Sequence, residues 1–157
     1  MPNLLQIALS YYGLFEWKDG TNPKLKEIFG RVGRILGYNF EQYDDSILSW
    51  CGVFMAEIFW EAGLGDYIPR DAQGARKWLS LGDSTDWQEV SVGEAVAGDV
   101  VVFWRNSPSS WQGHVALFVN DRKNGRIRTL GGNQSNGVVI RSYQKSKILK
   151  IYRYAGK

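Results

Sequence analysis

The chain has 157 residues, 44% of them hydrophobic and 22% charged, which fits one domain around one core and excludes a disordered segment. One cysteine and one histidine exclude an intramolecular disulfide and a zinc finger, ribbon or knuckle, and leave a single thiol and imidazole for nucleophilic chemistry. The net charge of +3 hides an asymmetry: residues 1–121 carry 9 Lys and Arg against 16 Asp and Glu, whereas residues 122–157 carry 10 basic residues and no acid, which suits a polyanionic partner or a solvated basic strand face.

The first half has helical periodicity. Leu4, Leu5, Ala8, Leu9 and Tyr12 mark an amphipathic helix stopped by Gly13. Asn22 and Pro23 supply a cap and a first-turn proline for a second helix with the apolar face Leu25, Ile28, Phe29, Val32, Ile35 and Leu36, ending at Gly37. A third begins near Ser49 and runs through Ala62 to Gly63, and a shorter fourth spans Asp71 to Leu81.

The second half changes period. Asp99 to Trp104 and His114 to Val119 are β-branched, apolar runs that predict buried strands. Asn124-Gly125 is a hairpin signal, followed by short strands at Arg126 to Leu130, Val138 to Tyr143 and Ile148 to Tyr154. Helices followed by strands predict an α+β fold with N-terminal helices on an antiparallel sheet of five to six strands, as one domain over residues 1–157.

Three positions carry chemistry. Cys51 falls at the first turn of the third helix, where unpaired amides and the helix dipole favour a thiolate; a small buried hydrophobe is the alternative. His114 opens a buried strand after Gly113 and a polar loop, a placement for a general base or for a structural histidine. Asn133 closes the next strand, where it is able to orient the imidazole or to serve as a turn residue. In chain order they read nucleophile, base and orienter.

Four blocks then resemble a known family. Ser49-Trp50-Cys51-Gly52-Val53-Phe54, Ala97 to Phe103, Gly113 to Phe118 and Leu130-Gly131-Gly132-Asn133-Gln134 are similar, in order, to the signature blocks of the bacterial and phage cell-wall cysteine hydrolases of the CHAP and NlpC types. The resemblance implies a papain-like fold and hydrolysis of a peptidoglycan amide bond, by an endopeptidase or by an N-acetylmuramoyl-L-alanine amidase, with no cofactor or metal. It implies Cys51 as nucleophile, His114 as base and Asn133 as third member, with Gln134 as the other residue able to serve because Gly131 and Gly132 stand where an acid is expected. The amide of Cys51, with Ser49 or Tyr43, is then expected to hold the oxyanion. Trp50, Trp111, Asp44 and Asp45 are candidate substrate contacts, the tryptophans through their rings and the aspartates through a stem-peptide amine.

The competing class is a non-catalytic module that binds cell wall or another polyanion on the same fold. No nucleic-acid motif is present, so DNA and RNA are not expected partners. No apolar run reaches membrane-spanning length and the first residues do not form a signal peptide, so the chain is expected to be made in the cytoplasm. It is further expected to be a monomer delivered to the wall by phage or secretion machinery, with an immunity protein as a further partner.

Overall fold

The computed structural model describes residues 3–43 and 48–156; Asp44 and Asp45 lie outside them. Helix α1 spans Leu4–Leu9, with the Asn3 side chain accepting from the Gln6 amide at 3.0 Å. It stops short of Tyr12 because Ser10 bonds back to Ile7 O at 2.6 Å and the chain turns towards Gly13. Helix α2 spans Pro23–Leu36 with the expected limits: the Asn22 side chain caps the Lys24 amide, and Gly37 ends the helix at φ 82°.

Helix α3 spans Cys51–Glu61 and is buried from Cys51 to Phe59. Its N-cap is Trp50, not Ser49, and no side chain caps it; Ser49 is exposed. Gly52 is dictated by packing, because a Cβ there would lie 1.9 Å from the Ala72 carbonyl oxygen. The buried Glu57 on this helix pairs with Arg31 of α2, whose Nε lies 2.7 and 3.1 Å from the two carboxylate oxygens. The expected fourth helix is wound as a 3₁₀ segment over Ala75–Asp83. That winding aligns residues three apart, so Ala75, Trp78 and Leu81 share one buried face.

Six strands follow: β1 (Trp87–Glu89), β2 (Val100–Trp104), β3 (Gly113–Asp121), β4 (Arg126–Gln134), β5 (Gly137–Gln144) and β6 (Ile148–Tyr154). They form one antiparallel sheet in the order β1-β6-β2-β3-β4-β5. Val100, Val102, Val115, Leu117 and Leu130 join α3 in the main core, while Val101, Phe103, Phe118, Ile127 and Ile151 form a second cluster. Alternation along β2 and β3 therefore divides these residues between two apolar layers.

Two departures from the expected strands position the site. The β3–β4 connection is a loop over residues 122–125, closed by Arg122 N to Arg126 O at 3.0 Å, rather than a two-residue turn. Strand β4 continues past Leu130 to Gln134, with its register against β5 slipping between Gly131 and Gln134, before the left-handed pair Ser135 and Asn136 turns the chain. Residues 13–16 lie along the start of β5 through Gly13 N to Val138 O, Val138 N to Leu14 O and Glu16 N to Asn136 O. Part of the basic C-terminal charge is matched within the fold: Lys145 pairs with Asp121, Lys150 with Glu89 and Arg153 with Asp99.

Candidate active site

Cys51 begins α3 and is 4% exposed. Burial pushes its thiol above the ordinary value, against a hydrogen bond from the Val115 amide, the charge of Arg105 and the amides of Gly52 and Cys51. The amides at the helix start act on the thiol in the expected, lowering sense, and desolvation of the charged sulfur opposes them. The bond from Val115, next in sequence to His114, brings the thiol to the head of β3.

His114 is 1% exposed and pairs across the sheet with Phe103. Its Nε2 lies 2.9 Å from Gln134 Oε1. The Gln134 amide nitrogen donates to Thr129 O at 3.0 Å and Val139 O at 2.6 Å, while Oε1 accepts from the Thr129 hydroxyl at 2.9 Å. Flipping the amide would oppose Oε1 to two carbonyl oxygens, so its orientation is fixed. The imidazole therefore carries its proton on Nε2 and donates it to Gln134, and Nδ1 keeps a lone pair. Among the described residues Nδ1 is buried with no hydrogen-bond partner. Burial drives the imidazole down to about 4, with the Gln134 bond acting the other way and Arg105 adding to the depression. Burial thus acts on both groups in the direction of their neutral forms.

Tyr143 of β5 and Phe103 of β2 stack on the imidazole at 5.1 and 6.1 Å, each at 28°. Burial pushes the Tyr143 hydroxyl up to about 12. The adjacent glycines let β4 pass: a Cβ on Gly132 would lie 2.6 Å from Phe54 Cβ, and one on Gly131 would lie 2.8 Å from Ala116 Cβ and 3.1 Å from Gln134 Oε1.

The other expected residues separate. Asn133 is half-buried with φ 57°, and the imidazole's side-chain partner is its neighbour Gln134. Trp50 is fully buried and donates its indole N–H to Glu16 at 2.8 Å, so its ring belongs to the core and not to a groove. Trp111 is 82% exposed on the loop before β3. Tyr43 and Ser49 are exposed. Thr129, Tyr143 and Arg105 are site residues that sequence reasoning missed. The available signal for Arg105 is its position directly after β2, opposite the strand that carries His114; Thr129 and Tyr143 reach the site through the pairing of β4 with β5, which neither strand's own sequence displays.

Among the described residues, no group of three or more His, Cys, Asp or Glu side chains is placed to hold a metal ion, and no helix is long and apolar enough to cross a membrane. The sequence profile of the CHAP domain matches residues 41–133. No curated protein matches the chain in sequence. Among solved structures, a protein described as similar to a lipoprotein, NLP/P60 family, from Staphylococcus aureus superposes with a TM-score of 0.53 at 17% identity. The superposition covers 99% of this chain and 41% of the staphylococcal one, and it shows a shared α+β fold.

Proposed function

The chain belongs to the CHAP domain family, whose members in general hydrolyse peptidoglycan, and from that premise we propose that it cleaves a peptidoglycan amide bond with Cys51 as nucleophile and His114 as base. The observation that carries this reading is the fixed amide of Gln134, which sets the imidazole's proton on Nε2 and leaves Nδ1 free to accept another. Gln134 takes the third position.

The reaction begins from neutral groups. As Sγ attacks the scissile carbonyl carbon, the thiol proton passes to Nδ1. The oxyanion forms beside the Cys51 amide, at a helix start that no side chain caps. Nδ1–H then protonates the departing amine as the C–N bond breaks, leaving a thioester. Water gives a proton to Nδ1 and attacks the thioester, Sγ leaves, and the thiol recovers its proton. Gln134 accepts from Nε2–H throughout and holds the ring through both transfers. Arg105, whose charge bears on both groups, and Trp111, exposed on the loop that leads into β3, are the side chains proposed to contact substrate; the scissile bond lies within the stem peptide or joins it to muramic acid. Delivery to the wall by phage or secretion machinery belongs to the same reading.

Purified cell walls incubated with the wild-type protein and with Cys51→Ala test it, with muropeptides read by mass spectrometry. The expected result is a new amine and carboxylate pair with wild type and none with Cys51→Ala, and the product masses identify the bond. Equal products from both proteins would overturn the thiol mechanism. Co-sedimentation of both with the wall and no product from either would instead assign a binding module.

A further inference from the structure

The loop between β2 and β3 is held from outside itself. Arg76, on the 3₁₀ segment, donates from Nε to Gln112 O at 2.7 Å, from Nη1 to Pro108 O at 2.6 Å and from Nη2 to Ser107 O at 2.7 Å. These add to the loop's own bonds, which are Arg105 N to Gln112 O at 3.1 Å, Ser107 N to Arg105 O at 2.8 Å, Ser110 N to Ser107 O at 3.1 Å and Gln112 N to Ser110 Oγ at 3.1 Å. One planar guanidinium thus reaches carbonyls at both ends of the loop, which a lysine ammonium is too compact to do. The arginine stem also packs on Gly113, where a Cβ would lie 3.1 Å from Arg76 Cγ. All three acceptors are neutral carbonyls, so the charge fixes backbone and is not spent on a carboxylate. Trp111, 82% exposed, rides on the braced segment between Pro108 and Gln112.

We propose that Arg76 is a positioning residue that presents Trp111, on the loop leading into the strand that carries His114, to the substrate. The proposal rests on the function proposed above but acts at a different step. His114 is held separately by Gln134 and the Tyr143 and Phe103 rings, so losing the brace affects binding rather than the proton transfers. A fixed loop lowers the ordering cost when a ligand stacks on the exposed indole.

The test measures affinity for muramidase-solubilised peptidoglycan in the Cys51→Ala background, so that the readout does not depend on turnover. Arg76→Gln, which keeps the stem on Gly113, and Trp111→Ala are each expected to weaken the Kd about tenfold. The double variant is expected to be no weaker than either single one, because one residue acts through the other. With Cys51 restored, Arg76→Gln is expected to raise KM similarly and to leave kcat and the Cys51 alkylation rate within about twofold. An unchanged Kd, additive losses in the double variant, or a fall in kcat at constant KM would each overturn the proposal. Arg76→Lys serves as a second variant and is expected to recover only part of the affinity. Loss of affinity without hydrolysis by the wild-type protein would overturn the proposed function while leaving the brace standing.

Discussion

Gln134 accepts the Nε2–H of His114 at 2.9 Å while both hydrogens of its amide are committed to the carbonyls of Thr129 and Val139. Four hydrogen bonds fix one side chain, and that side chain fixes one imidazole. Gln134→Ala is therefore expected to lower kcat by about 10²-fold or more, with KM little changed. Asn133→Gly removes the neighbouring side chain at a φ of 57° that glycine adopts without strain, and it is expected to stay near wild-type activity. Steady-state kinetics on solubilised walls checks both; the opposite ranking would move the third position to Asn133.

The neutral resting pair has its own signature. Because burial pushes the Cys51 thiol up, its alkylation by iodoacetamide is expected to climb continuously with pH through about pH 9, without a plateau near neutrality. Arg105 acts on the thiol in the opposite sense, so Arg105→Ala is expected to shift that climb to higher pH. A rate flat between about pH 5 and 8 would indicate a thiolate–imidazolium pair instead.

His114 couples folding to acid. Its folded value of about 4 lies below the ordinary 6.5, so the unfolded chain binds the extra proton first. Stability from the neutral ring is present above about pH 6.5 and is lost as pH falls towards about 4, by up to about 3 kcal/mol. Urea midpoints of wild type and His114→Asn, followed from pH 7 to 4, are expected to converge as the wild type loses this increment. Parallel curves would show that the ring titrates normally in the folded protein.

The Arg31–Glu57 pair is asymmetric: the Glu57 side chain is 0% exposed and that of Arg31 is 26% exposed. Arg31→Met strands a buried carboxylate and is expected to cost about 3–5 kcal/mol. Glu57→Gln leaves the guanidinium partly in water and is expected to cost less. Denaturant unfolding of the two variants checks the order.

Helix α2, bracketed by Asn22-Pro23 and Gly37, was readable to the residue because both limits are local chemistry: a side chain on an amide and a left-handed glycine. The strands were readable from their β-branched runs, but β1 was not, since three residues ending in Gln88 and Glu89 carry no alternation long enough to detect. Cys51 and His114 were readable through their scarcity and neighbours. Gln134 stood one residue from the expected orienter because a register slip, which is a property of two strands and not of one, decides which side chain reaches the ring. The thiol's protonation was unreadable for a related reason: helix position is local, whereas desolvation depends on everything packed around it. The basic quarter of the sequence was likewise visible as charge but not as pairs, because Asp121, Glu89 and Asp99 come from other strands or from the head of β2.

The sheet order has a consequence for assembly of the molecule. Strand β6 comes last of the six along the chain yet lies between β1 and β2, pairing Tyr152 with Glu89 on one side and with Val100 on the other. Until it arrives, β2 presents a bare apolar edge and β1 has no neighbour, so a nascent or truncated chain ending before Ile148 exposes an edge prone to pairing with another copy. Completion of the sheet thereby waits on a contact of long sequence separation, the kind of pairing whose loop-closure entropy has to be met before the contact rewards it.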